Sequence, residues 1–515
     1  MRRPVRAALL AFDLGSGSVK VLLIDGETGA PLHLARRASS STSVLGTPLD
    51  PREQDSDLWW RALCDATHEV LDVAEQSGGV EVRGIGVVGH GPSLVPVQED
   101  GSAAGSALMW RDRRAADDEI ALGALLNRSG WLLGELPKAR WFLRERAASA
   151  ATAAWLLSTW DAIAFRLSGV AVSSFWDPAR SLSPADRGAL LNAGLDERAL
   201  PPEVFPGTRI GALLPRAAAE LGLPAGIPIA AGVNDGLAAV IGAGLTRAGV
   251  GVDVGGTAGG VAVAERPVEA RRIAAELGHR LWAGPAPLPF GDLMIVGGAF
   301  AGTGRILEWV IQEYLADEVG TSAARRAALF EEAAALPLGA DGLLARPILN
   351  GAWQSPTTAE DAFTGIGEHH RPAHFVRAAI EGGALAVAHL LAPARDAGLT
   401  LTEMRLSGPA TGAAPGPLSL SDQVPAALVQ LRADLFGVPV VIGQNREASA
   451  AGAAALAGVA SGLFSGLPEA VAAIAKPAQR VEPQRTHAEA ATELRARYRA
   501  LMHEHGEVAG GRRED

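Results

Sequence analysis

Cysteine is all but missing from this chain: its 515 residues include one, Cys64. A lone thiol forms no intramolecular disulfide and builds no cysteine-based zinc site. Redox catalysis by a thiol pair is therefore excluded, and a reducing interior is the expected setting. Positive charge is short as well. The 46 basic residues against 57 acidic ones leave a net charge of −11, without the basic excess expected of a nucleic-acid binder. Lysine is scarcer still, with Lys20, Lys138 and Lys476 standing against 43 arginines. Long hydrophobic runs are absent too, and no stretch approaches the roughly 18 uninterrupted apolar residues that span a bilayer. The opening residues Met1-Arg-Arg-Pro-Val-Arg place basic charge ahead of an apolar run, as a secretory signal does. That run ends at Asp13 after six residues, and no A-x-A cleavage site follows. It reads as a buried first strand, and the expectation is a soluble, cytoplasmic protein.

What is present is apolar and punctuated. Hydrophobic residues make up 48% and charged residues 20%, a globular composition, and the length predicts two domains of roughly 200–250 residues. Glycine (61) and proline (32) break the chain into many short elements. A repeat organises them. Residues 7–25 (AALLAFDLGSGSVKVLLID) and 250–264 (VGVDVGGTAGGVAVA) share the order apolar run, Gly-rich turn, apolar run, with Asp13 and Gly15 matching Asp253 and Gly255 at an offset of 240. The Val/Leu/Ile runs after each turn predict strands, so each turn joins a hairpin rather than opening a helix as a P-loop does. Backbone N–H groups in such a turn can line an anion site, and small residues let a phosphate approach. An ordinary hairpin turn explains one copy; two copies, one per half, favour phosphate binding.

The pattern predicts a helix over 59–73, strands at 84–97 and 105–110, a helical stretch through 115–170, and a strand over 227–232. Asn234-Asp235-Gly236 then opens a helix to 245. In the second half, helices are expected near 303–316, 372–394, 422–436 and 447–459. A charged tail, helical in part, runs from about 481. The acidic run Asp117-Asp118-Glu119 reads as a solvated helix face.

Six motifs in order resemble those of the FGGY carbohydrate kinases, over residues 7–460, with the xylulose kinase-like branch nearest. They are Asp13-Leu-Gly-Ser-Gly-Ser-Val-Lys20, Trp110-Arg-Asp-Arg-Arg114, Pro137-Lys-Ala-Arg-Trp141, Gly232-Val-Asn-Asp235, Gly255-Gly-Thr257, and Phe363-Thr-Gly-Ile366 with His374 to Glu381. The resemblance implies an α/β fold of two actin-like (ribonuclease H-like) domains, 7–246 and 247–460, followed by a tail over 461–515, with sugar and ATP in the cleft between the domains. It implies transfer of the γ-phosphoryl group of Mg-ATP to a small sugar or polyol, and a pentulose is the favoured acceptor.

By the same resemblance Asp235 is the catalytic base, and Asp13 and Asp235 are the Mg²⁺ contacts. Asp13, Gly15, Ser16, Gly17, Ser18, Lys20, Gly256, Thr257, Gly304 and Gly408 hold the nucleotide. Gly89, His90, Trp110, Asp112, Asn234 and Asp235 hold the acceptor. Position alone makes Asp235 an ordinary helix N-cap, and the helix terminus is expected to keep it ionised. No nucleic-acid or membrane partner is expected, and a homodimer is compatible with this reading. The chain departs from the family pattern at Asn350-Gly-Ala-Trp353 and in the proline-rich 407–425 segment, where weaker adenine selectivity is expected. A catalytically weak sugar-binding relative is the competing reading; the intact Asp13, Thr257 and Asp235 oppose it.

Overall fold

The computed structural model describes residues 6–504 apart from 39–42, 45–46, 49–51, 255–257, 279–280, 287–291, 302–305, 308, 320–321, 347–357 and 409–425. The chain forms two compact units. Residues 1–242 and 449–475 make the first, and 243–448 with 476–515 make the second.

The first unit is built on a mixed sheet whose strands lie in the order Arg209–Ala212, Pro228–Ala230, Val80–Gly89, Arg6–Leu14, Ser18–Asp25, Pro31–Ala38. Strand Arg6–Leu14 is central and covered on both faces, which is why residues 8–12 are apolar without alternation. It pairs antiparallel with Ser18–Asp25, closing the expected hairpin, and parallel with Val80–Gly89. Helix Ser56–Gln76 makes the crossover, its start capped by Asp55, whose side chain accepts from the Asp57 N–H. It buries Trp59, Trp60, Leu63, Ala66 and Val70. Helix Ala448–Ala460 also lies on this sheet. A Cβ on Gly86 would overlap the Ala453 carbonyl oxygen, and one on Gly452 would overlap that of Ala238, so backbone meets backbone at both places.

The second unit repeats the plan in the order Trp282–Pro285, Met294–Ala301, Ala258–Glu265, Val250–Val254, Glu403–Ser407, Val440–Gly443, Pro477–Val481. Val250–Val254 again pairs antiparallel with the strand after it and parallel with the strand after a long helix, Pro372–Asp396. In the first hairpin Asp13 faces Lys20; in the second Asp253 faces Val261, so the second turn is one residue longer. Helix Pro372–Asp396 has the length and apolarity of a membrane span, but most of it is buried in this unit. Its Arg377 and Glu381 form a buried ion pair at 2.6 Å.

Several expectations are corrected. The helical stretch 115–170 is broken by strand Trp155–Leu157, which pairs with Val95–Val97. The strand expected over 227–232 is two, Pro228–Ala230 and Val233–Asn234; between them the Gly232 carbonyl leaves the ladder to accept from Ser174 Oγ at 2.8 Å. Asp118 is buried rather than solvated, and Arg144 and Arg140 pair with it at 2.9 and 3.3 Å. By packing, the first unit ends at 242 and also takes in residues 449–475.

Candidate active site

Strand register gathers the candidate residues at one end of the first sheet. Leu14 faces Gly89, Asn234 faces Gly89 on its other side, and the His90 N–H donates to the Leu14 carbonyl at 3.0 Å. Asp13, His90 and Asp235 therefore stand at the carboxyl ends of three adjacent strands, where side chains of open α/β sheets meet ligands.

Asp235 begins helix Asp235–Ala243 directly after a strand. The Gly236 N–H donates to its Oδ1 at 2.8 Å and to Asn234 Oδ1 at 2.9 Å. Burial, and next the negative charge of Asp13, push the Asp235 carboxyl up to about 6. This corrects the expectation of a readily ionised N-cap, because desolvation and a like charge outweigh the helix terminus. Asp13 is 3% exposed, and the Lys20 ammonium sits 3.2 Å from its Oδ2. Lys20, expected on phosphate, is thus placed against Asp13.

The turn after Asp13 is held from several sides. The Gly15 N–H donates to the Ser18 carbonyl at 3.0 Å. Gln54 Nε2 donates to the Ser16 carbonyl at 2.9 Å, Trp110 Nε1 to the Ser16 hydroxyl at 2.9 Å, and Arg36 Nε to the Ser18 hydroxyl at 2.8 Å. Both hydroxyls keep their own hydrogens to donate. Among the described residues a Cβ on Gly17 would meet nothing within 4 Å, so they leave the outer face of the turn open. Arg36 and Gln54 were missed by sequence reasoning. For Arg36 the available signal was its place opposite Lys20 in the strand pairing.

His90 is neutral. Burial, then the charge of Arg111, bring its imidazole down to about 3. Its Nδ1 bonds Ser93 Oγ at 2.9 Å, its ring meets Trp59 edge-on at 5.4 Å, and its buried Nε2 has no partner among the described residues. Lys138 of the Pro137–Trp141 motif donates to the Pro92 carbonyl at 3.1 Å, which fixes the loop after His90. Asp112 is 4% exposed and gripped by Arg114, whose Nη2 lies 2.6 Å from Asp112 Oδ2 and 2.7 Å from Glu53 Oε1. Burial alone would raise the Asp112 carboxyl, but Arg114 holds it below the usual carboxylate range. The Arg114 guanidinium also stacks on Trp141 at 4.5 Å, so two of the sequence motifs join physically.

In the second unit Asp253, the repeat partner of Asp13, is buried against Arg432 at 2.8 Å. The duplication is structural there, and the carboxylate is spent on an internal pair. Gly408, with φ of 54°, follows the strand end that corresponds to Gly89, and its N–H donates to the Arg446 carbonyl at 2.8 Å. Gly256, Thr257 and Gly304, the 409–425 part of the proline-rich segment and residues 350–353 lie outside the described residues.

Among the described residues no group of three or more His, Cys, Asp or Glu side chains could hold a metal by itself. Two neighbouring carboxylates, Asp13 and Asp235, do suit a hydrated Mg²⁺ that takes its other ligands from water and phosphate.

Residues 8–242 match the N-terminal domain of the FGGY family of carbohydrate kinases, and residues 285–461 match its C-terminal domain. The chain is 24% identical over 478 residues to the xylulose kinase of Bacillus subtilis (strain 168), covering 90% of each chain. It is 30% identical over 455 residues to the glycerol kinase of Bordetella parapertussis, covering 81% of this chain and 82% of that one. The crystal structure of xylulose kinase from Rhodospirillum rubrum superposes with a TM-score of 0.69 at 26% identity, over 96% of this chain and 98% of the other.

Proposed function

The chain belongs to the FGGY family of carbohydrate kinases, and from that premise we propose that it phosphorylates one hydroxyl of a small sugar or polyol with ATP, using Asp235 as general base. Relatives named for xylulose and for glycerol stand at similar identity. Among neutral acceptors a pentulose is favoured, because His90 Nε2 is a buried polar atom awaiting a hydroxyl. A buried group left unpaired costs about 1–3 kcal/mol, so it rejects analogues that lack the matching hydroxyl.

The observation that carries the reading is the position and basicity of Asp235. Its carboxyl, raised to about 6, is ionised at neutral pH yet basic enough to take a proton. The acceptor oxygen forms the new bond to the γ-phosphorus, the bond from that phosphorus to the leaving ADP oxygen breaks, and the acceptor proton passes to Asp235. The N–H groups of Ser16, Gly17 and Ser18 and the two serine hydroxyls bind phosphate oxygens, and Asp13, with Lys20 at 3.2 Å, would hold a hydrated Mg²⁺. When bound, that ion neutralises charge on the phosphates. Trp110 and Asp112 border the acceptor, with Asp112 oriented by Arg114.

The test is ADP release with D-xylulose, D-ribulose, L-ribulose, erythritol, glycerol and gluconate offered singly. Acceptor-stimulated ADP release is expected. Equal release with and without every acceptor would overturn the kinase reading and leave a binding protein.

A further inference from the structure

The Trp110–Arg114 motif holds a cation that the mechanism above leaves idle. Arg111 is half-buried, its buried Nε has no hydrogen-bond partner, and no ion pair involves it among the described residues. Its guanidinium lies 5.5 Å from the centroid of the Trp110 ring. Of the neighbouring cations, Arg113 is exposed to solvent, and the others are committed: Lys20 to Asp13, Arg36 to Ser18, Arg114 to Asp112 and Glu53, and Lys138 to the Pro92 carbonyl. A guanidinium that gives up water without a counter-charge is costly, and burial pulls its pKa down with nothing opposing. Such a group is satisfied by an anion presented in plane, since its fork of N–H donors matches a carboxylate with two parallel bonds. The Trp110 face behind it holds the guanidinium plane in place.

The place of Arg111 in the chain says where the anion comes from. It stands between Trp110 and Asp112, the two residues that border the acceptor, with its guanidinium over the Trp110 ring. After burial, its charge is the next cause that lowers the basicity of His90. We propose that Arg111 is a specificity-determining residue that receives a carboxylate of the acceptor, so that the preferred acceptor is a polyhydroxy acid of about four to six carbons. This rests on the kinase reading and narrows its substrate class. The carboxylate enters none of the bonds made or broken. It anchors one end of an open chain while a hydroxyl further along meets Asp235. His90 Nε2 takes an intermediate hydroxyl, which is why an open-chain acid of this length fits the same residues that would hold a pentulose.

The experiment compares D-ribonate with ribitol, matched but for the charged group, on the full chain. Titration calorimetry without nucleotide and kcat/KM with ATP are both read for wild type, Arg111→Gln and Arg111→Lys. Wild type is expected to bind D-ribonate about tenfold or more tightly than ribitol, and Arg111→Gln to cut that ratio to about threefold or less. Arg111→Lys, which keeps the charge without the planar fork, is expected to fall between them. Equal binding of the two ligands by wild type overturns the proposal. A loss in Arg111→Gln that is equal for both ligands also overturns it, because Arg111 would then serve the phosphoryl group or the fold. Turnover of neither ligand nor any sugar sinks the kinase reading, while the calorimetric ratio and its response to Arg111→Lys still decide the carboxylate site.

Discussion

Replacing Asp235 with asparagine should make the protein more stable at neutral pH while disabling it. The Asp235 carboxyl is raised from an ordinary 3.8 to about 6, by burial first and by Asp13 second. A shift of about two units corresponds to about 3 kcal/mol of disfavoured ionisation, and partial exposure of the residue reduces this to about 1–2 kcal/mol. The sign follows from proton binding. Below about 3.8 the folded and unfolded chains both hold the proton, and the stability linked to it is fully present. As pH rises through about 6 the folded state must ionise an unfavourably placed carboxyl, and that stability is lost. Asparagine never ionises, and its Oδ1 can still accept from the Gly236 N–H. Thermal unfolding followed by tryptophan fluorescence should therefore show Asp235→Asn melting about 2–6 °C above wild type near pH 8. The gain should shrink towards zero near pH 4. A variant no more stable than wild type at pH 8, or one whose gain is the same at every pH, would refute the reasoning.

Three further outcomes are expected. His90→Ala should lower kcat/KM for the best acceptor by about tenfold or more while leaving the circular dichroism intact, and an unchanged constant would make His90 a packing residue. Gly452→Ala should destabilise the protein by about 1–3 kcal/mol in chemical denaturation, because its methyl overlaps the Ala238 carbonyl; Gly17→Ala, with open space around it, should change stability by less than about 0.5 kcal/mol yet weaken ATP binding measured by calorimetry. Arg432→Met should cost about 3–5 kcal/mol by stranding the buried Asp253, and adding Asp253→Leu should recover most of that loss; a double variant as unstable as the single one would contradict the pairing.

The duplicated hairpins were legible because a Gly-rich turn between two apolar runs is a local signal. So was the meeting of Asp13, His90 and Asp235, since each ends a strand, and strand ends of one sheet share an edge. The return of residues 449–475 to the first unit was not legible. An Ala-rich helix carries no mark of which sheet it covers, and the glycines that admit it, Gly86 and Gly452, lie 366 positions apart in sequence. The burial of Asp118 was hidden for a related reason. Its partners Arg140 and Arg144 sit on another helix, Leu136–Glu145, so the acidic run looked solvated until the two helices were packed together. The basicity of Asp235 depended on burial first and then on a carboxylate 222 residues earlier, and helix-terminus reasoning alone gave it the wrong sign.

The central claim is phosphoryl transfer from ATP to an acceptor hydroxyl with Asp235 taking the proton. Its most direct test is a rapid-quench single turnover at neutral pH with γ-labelled ATP, Mg²⁺ and the best acceptor, run on wild type and Asp235→Asn. The label should appear on the acceptor as a phosphate monoester, and at least about 10²-fold more slowly in the variant, the usual share of general-base catalysis. Label released only as inorganic phosphate, or transfer by Asp235→Asn at more than about a third of the wild-type rate, would contradict the account.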